Sequence, residues 1–268
     1  MGKSFKNISQ AVKTGYHDNA LTGDAALRRG IKPYLRSVLL PELKKKAPYF
    51  NIEAVRKMLK EKGIEVDNAT LKDYFYDYMS AGVIHDAGRG WYSGIAEPFK
   101  LDTGPVKDFI RRVEKAFPHL EFSCWSTEQI NPYMSHLLAK FATFIYVDRD
   151  LMQSVVDEIR TWKGYTVYLN PSSKDAEKTF RIEQKTIVIR PETSEAPGTG
   201  ESHAAPIEKL LVDLAIEVEK LPILSRGQFQ EMAWRAVSSA RISMGTLSRY
   251  AKRNHRELKE LFDNKLTD

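Results

Sequence analysis

Between Ile31 and Ser93 three stretches of helical apolar spacing follow one another, and two short β-forming runs around a glycine-rich turn close the series. No other feature of the chain restricts its fold as much. In the first stretch Tyr34, Leu35, Val38, Leu39 and Leu43 recur at three- and four-residue steps, which puts their side chains on one face of an α-helix. Pro33 falls in the first turn, where a missing N–H costs nothing, and Pro41 is expected to kink or end the helix. Asn51 reads as the N-cap of a second helix to Lys62, with Ile52, Val55, Met58 and Leu59 inward and Gly63 as its stop. Asp67 or Asn68 caps a third, with Leu71, Tyr74, Phe75, Tyr78 and Met79 inward, ended by Gly82. Val83-Ile84-His85 and Trp91-Tyr92-Ser93 then flank Asp86-Ala87-Gly88-Arg89-Gly90, which has hairpin-turn chemistry. Three helices and a hairpin give the order of a winged helix-turn-helix.

Beyond a Pro- and Gly-containing linker over 96–105 the pattern alternates. Helices are expected over 106–117, 132–138 and 151–162, and strands over 121–126, 141–147, 165–169 and 186–189. A loop rich in Glu, Ser, Thr, Gly and Pro covers 192–202, followed by helices over 207–221, 227–240, 245–252 and 255–266. The expected fold class is therefore α+β. It comprises an N-terminal arm over 1–30, a winged helix-turn-helix over 31–96, and a small α/β sheet domain with a helical C-terminal bundle over 106–268.

Charge divides the chain in the same place. Residues 1–100 hold 17 Lys and Arg against 11 Asp and Glu, whereas residues 101–268 hold 24 of each. An excess confined to one module suits a module that meets a polyanion. In a winged helix-turn-helix the third helix enters the major groove, which offers Asn68, Thr70, Lys72, Asp73 and Tyr76 as its outward set. Arg89 would stand at the wing tip, and Lys57, Lys60, Lys62 and Lys44-Lys45-Lys46 are candidate phosphate contacts. Asp73 and Asp77 on the same helix oppose DNA, and a protein-docking module remains an alternative. A second basic stretch, residues 226–256, carries Arg226, Arg235, Arg241, Arg249, Lys252, Arg253 and Arg256 against one acid, Glu231. Arg235, Arg249, Lys252 and Arg253 are its candidates for contact with an acidic partner.

Catalytic signatures are sparse, so the chain is expected to be neither an enzyme nor a cofactor binder. Glu183-Gln184-Lys185 has the Glu-x-Lys spacing of metal-dependent nucleases, with Asp148 as a conceivable third group; a nuclease-like enzyme is thus the competing class. The six histidines show no i,i+4 pair, and neither a P-loop nor a dinucleotide fingerprint occurs. Cys124, the single cysteine, lies in an apolar run and reads as packing; its solitude fits a reducing compartment. No apolar run reaches the ~20 residues of a membrane span and residues 1–7 lack a signal-like apolar core, so a soluble cytoplasmic protein is expected.

The segment from Cys124 to Asn131, then Met134-Ser135-His136 and the run 141–147, resembles the middle domain of AbiEi-like antitoxins and their related transcriptional regulators. The run from Ala205 to Leu214 is similar to that group's proline–glutamate–lysine–leucine–valine–aspartate helix start, and Gly88-Arg89-Gly90-Trp91-Tyr92-Ser93 to the close of its wing. The likeness covers most of residues 30–260 and departs before residue 30 and after Ser225. It implies the antitoxin of a type IV toxin–antitoxin pair used in phage defence. Such a protein represses its own promoter by binding duplex repeats and counters a nucleotidyltransferase toxin. The toxin's own glycine–serine and paired-carboxylate motif has no counterpart here.

Overall fold

A computed structural model describes residues 27, 30–263 and 265; the expected N-terminal arm lies mostly outside the described residues, as does the end of the last expected helix. Lys3, Lys6, Lys13, Arg28 and Arg29, part of the N-terminal basic excess, lie outside them too. The chain is mixed α+β and divides into two compact units, residues 1–43 and 44–268.

α1 (Ile31–Tyr34) passes into a π-helical segment, Leu35–Leu39, and then into α2 (Leu40–Lys46), whose last three residues fall in the second unit. The helix continues to Lys46, so of the two effects expected of Pro41 it does not show the ending. The wider π turn immediately before it absorbs the ring and the missing N–H that would break a regular α-helical ladder.

The first strand of the second unit is β1 (Tyr49–Asn51), which is too short to leave a sequence signal. Next come α3 (Ile52–Glu61) and α4 (Asn68–Ser80), then β2 (His85–Asp86) and β3 (Trp91–Ser93). Both helices start where their caps predict. Asn51 Oδ1 accepts Ala54 N–H at 2.8 Å, and Asp67 Oδ1 accepts Thr70 N–H at 2.9 Å. Gly63 and Gly82 stop them with positive φ. The three strands form an antiparallel sheet in the order β1-β3-β2, with Phe50 opposite Tyr92 and His85 opposite Ser93. Phe75 of α4 meets Tyr92 edge-on at 4.7 Å, which locks the helix to this sheet.

Two sequence-based boundaries shift in the remainder. The segment 96–105 is pinned rather than free: Phe99 N–H donates to Arg241 O, Arg241 N–H to Glu97 O, and Gln129 Nε2 to Asp102 O, each at 2.7 Å. The helix expected over 132–138 is instead a 3₁₀ turn, Thr127–Tyr133, because Ser126 and Gln129 form a capping box that starts it earlier.

A second sheet has the order β4-β5-β7-β6, built from β4 (Phe122–Ser126), β5 (Ala142–Val147), β6 (Thr166–Leu169) and β7 (Thr186–Pro191). β4 runs antiparallel to β5, while β5, β7 and β6 are parallel. Side-chain alternation gives it two buried faces. Cys124, Ile145, Val147, Ile187 and Ile189 pack against α5 (Gly104–Ala116) and α6 (Met152–Arg160). Trp125, Phe144 and Val188 face a larger core shared with the C-terminal helices. Those are α8 (Ile207–Lys220), α9 (Arg226–Ser239), α10 (Met244–Arg253) and α11 (Leu258–Phe262); a short α7 (Ser173–Thr179), unseen in the sequence, precedes β7.

Candidate functional site

The outward row of α4 is the first candidate. Leu71, Phe75 and Tyr78 are buried, which leaves Asn68, Lys72 and Tyr76 in a single i,i+4 row facing outward. Tyr76 is 68% exposed, unusual for a large aromatic side chain. Asn68 Oδ1 accepts from Arg56 Nη1 at 3.3 Å. Thr70 is half-buried and its hydroxyl donates to Asp67 Oδ2 at 2.7 Å, so it serves the helix cap as well as the surface. Lys57 and Lys60 line, with Arg56 and Glu53, a groove of about 570 Å³ beside the start of α4. Lys44 has turned inward: its ammonium donates to Val83 O, and its stem covers Gly94, where a Cβ would lie 2.8 Å from Lys44 Cγ. Desolvation holds that ammonium below the ordinary lysine range.

The β2–β3 tip is not a free wing. Ala87 O accepts Gly245 N–H at 3.1 Å, and a Cβ on Gly245 would come within 2.6 Å of Arg89 N. The Arg89 side chain itself is exposed. Tyr49 reinforces the junction from the other side. Its hydroxyl accepts Ile242 N–H at 2.9 Å and lies 3.0 Å from both Val237 O and Ala240 O, which share its one proton. Burial pushes this phenol up to about 12.

The basic stretch 226–256 is dispersed by the fold. Arg241 donates to the carbonyls of Ile95 and Ala96, Arg235 pairs with Glu231 at 2.5 Å, and Arg256 pairs with Glu219. Arg249, Lys252 and Arg253 lie exposed on α10, with Arg253 Nη2 donating to Ser194 Oγ at 2.8 Å. Glu183 and Lys185 sit in the turn before β7, not on the strand. Glu183 accepts the Thr166 hydroxyl at 3.0 Å, and Lys185 Nζ lies 5.0 Å from the Tyr165 ring. Asp148 caps the 3₁₀ turn that leads into α6. Among the described residues no group of three or more His, Cys, Asp or Glu could hold a metal. Cys124 is fully buried, and burial drives its thiol well above the ordinary range.

A buried charge network stands where α8 crosses the second sheet, and sequence reading missed it. Lys209, with no exposed surface, lies 2.9 Å from Glu192 Oε1, 3.2 Å from Tyr250 OH and 4.1 Å from the Tyr146 ring centre. Its ammonium also pairs with Asp213 Oδ2 at 3.0 Å, while Asp213 Oδ1 accepts Tyr250 OH at 2.7 Å. Glu192 Oε2 accepts the Ser123 hydroxyl at 2.6 Å. On the same face Arg190 of β7 meets Glu217 with Nε at 2.9 Å and Nη2 at 2.5 Å, and its Nη1 reaches Asn170 Oδ1 and Pro171 O. Six of the fourteen residues of α8 are charged, and the fold buries three of them, Lys209, Asp213 and Glu217, whose i,i+4 spacing gives no sign of it in the sequence.

One ammonium here faces two carboxylates, of which Asp213 is the buried one. Burial raises the Asp213 carboxyl to about 6 against the pull of Lys209. Burial also opposes the Lys209 charge, but Asp213, Tyr250 and Glu192 outweigh it and hold the ammonium above its usual range. A raised carboxyl means the folded state binds the proton more tightly than the unfolded chain. Its stabilisation is present below about pH 4 and lost as pH rises through about 6. Urea unfolding of the wild type and Asp213→Asn across this window is expected to show the wild type losing up to ~3 kcal/mol relative to the variant, then a plateau. A flat difference would show that Asp213 ionises normally.

Fold and site thus define an α+β protein that joins a helix–helix–hairpin segment to a sheet-and-helix body through fixed contacts. The chain belongs to a family of unknown function, DUF6577, whose model matches residues 70–268. The match begins inside α4 and runs through the hairpin and the 96–105 segment to the end of the chain. Curated proteins give no match. Among the described residues no helix is long and apolar enough to cross a membrane.

Proposed function

We propose that this chain is a DNA-binding transcriptional regulator and the antitoxin of a type IV toxin–antitoxin pair, repressing its own promoter and countering a nucleotidyltransferase toxin. In this reading α3, α4 and the β2–β3 hairpin are the core of a winged helix-turn-helix. The observation that carries the DNA part is the Asn68–Lys72–Tyr76 row. Its amide, ammonium and phenol stand outward on a helix whose opposite face is locked in the core. Asn68 suits adenine, Lys72 suits guanine or phosphate, and Tyr76 suits phosphate or a sugar edge. The antitoxin part rests on the resemblance of residues 124–136 and 205–214 to AbiEi-like proteins, and the C-terminal helices, with Arg235 exposed on α9, are its partner surface. No catalytic step, metal or cofactor enters this reading.

Competition binding tests the DNA part. Lys72→Ala is expected to relax discrimination between the duplex upstream of the gene and a scrambled duplex by about 1–3 kcal/mol. Arg89→Ala is expected to weaken both duplexes alike. Equal losses for Lys72→Ala would make Lys72 a phosphate contact. No binding of wild type to either duplex would favour the competing protein-docking module, for which Asp73 and Asp77 on α4 speak.

A further inference from the structure

The docked hairpin tip brings together two sets of residues that lie far apart in sequence. Gly88 closes against the start of α10, where a Cβ on it would lie 2.6 Å from Ser243 Oγ, and Arg89 N sits directly over Gly245. The outer surface of the tip therefore continues onto α10. Met244, Leu247, Tyr250 and Ala251 are the buried face of that helix, which turns Arg249 and Lys252 outward on the stripe that begins at Gly245. At 3.6 residues per turn these three positions fall within about 60° around the axis, and the two cations stand about 6 and 10 Å beyond Gly245. Arg253, exposed beside them, is anchored to Ser194. α10 has no acidic residue. Glu195 and Glu208 share with Arg249 a cavity of about 390 Å³, and Glu208 is engaged there by Ser243 N–H at 2.7 Å.

We propose that Arg249 and Lys252 form, with Arg89, one continuous phosphate-contacting strip, so that duplex DNA leaves the hairpin tip along the outer face of α10. The proposal rests on the DNA-binding reading above and extends it to helices that charge balance alone had set apart for a protein partner. A hairpin tip held by backbone contact presents Arg89 at a fixed place beside the start of α10, so the cations of both elements meet a ligand as one surface. A duplex presents one negative charge per ~1.7 Å of axis, so cations spaced one helical turn apart each find a phosphate within reach.

Fluorescence anisotropy of the full chain across a salt series, on the duplex upstream of its own gene and on a scrambled duplex, tests this. The double variant Arg249→Glu/Lys252→Glu is expected to bind both duplexes at least tenfold more weakly. Its log–log salt slope should become shallower by about 2, the loss of two phosphate contacts. Arg149→Glu/Arg160→Glu, an equal double reversal at exposed positions leading into and on α6, serves as the control and is expected to leave affinity unchanged. Wild-type affinity and slope in the double variant would overturn the strip while leaving the DNA reading intact. Failure of the wild type itself to bind either duplex would overturn the reading and the strip together. The milder pair Arg249→Gln/Lys252→Gln, expected to lose affinity with the same change in slope, answers the same question if the double reversal does not fold.

Discussion

Lys209→Met is expected to destabilise the protein by about 3–5 kcal/mol at neutral pH, the range found when one partner of a buried ion pair is removed. Methionine fills the stem volume but leaves Asp213 fully buried, with the more exposed Glu192 beside it and no cation between them. Chemical unfolding at two pH values measures the effect. The deficit should shrink toward pH 5, where Asp213 can discharge its penalty by taking a proton. Replacing both partners, Lys209→Met with Asp213→Leu, should recover much of the loss, since an apolar pair is at home between Leu210, Val212 and Leu214. A single variant within about 1 kcal/mol of wild type would mean that water reaches the site and the charges are screened.

The second large effect concerns the segment 96–105. A chain cut between Ala96 and Pro105 is expected to give two pieces that do not fold independently, although the composition of this stretch suggests a linker. Tyr49 and Ala87 are core residues alongside Phe229, Met244 and Leu247, and Arg241 clamps the strand leaving β3. Separate expression of residues 1–100 and 101–268 should yield a first piece without cooperative unfolding and a second with a lowered thermal midpoint. Mixing the two should restore part of the transition. Two pieces that each melt cooperatively, with the midpoint of the second unchanged, would show the junction to be dispensable.

The parts of the fold governed by neighbours in sequence were the legible parts. Asn51 and Asp67 marked the starts of α3 and α4 because a capping side chain answers an amide three residues away. The strands β4, β5 and β7 showed as apolar runs because both of their faces are buried. What did not show depended on distant partners. Nothing near Tyr49 in sequence announces Ile242, and nothing near Gly88 announces Gly245. β1 exists only because β3 offers it a ladder. The candidate surface divided in the same way: the outward row of α4 follows from helical periodicity, while the alignment of Arg89 with α10 follows from a junction between residues more than one hundred and fifty positions apart. Lys209 and Asp213, spaced like a solvent-exposed i,i+4 pair, were hidden by their own ordinariness.

The two outer strands of the second sheet differ in what lies beyond them. β4 is closed by the chain itself, since Cys124 N–H donates to His203 O and Ala205 N–H donates to Cys124 O, each at 2.8 Å, whereas β6 pairs with β7 alone among the described strands. Val167 and Leu169 alternate with the residues flanking β7, so their amides and carbonyls point away from the sheet, with no charged side chain in the strand to repel a visitor. A sheet with one open rim and one sealed rim can be joined once and no further. Should two copies meet along β6, each gives the unsealed rim of its second sheet to the other, and that sheet-to-sheet association ends as a closed pair instead of running on into a fibre.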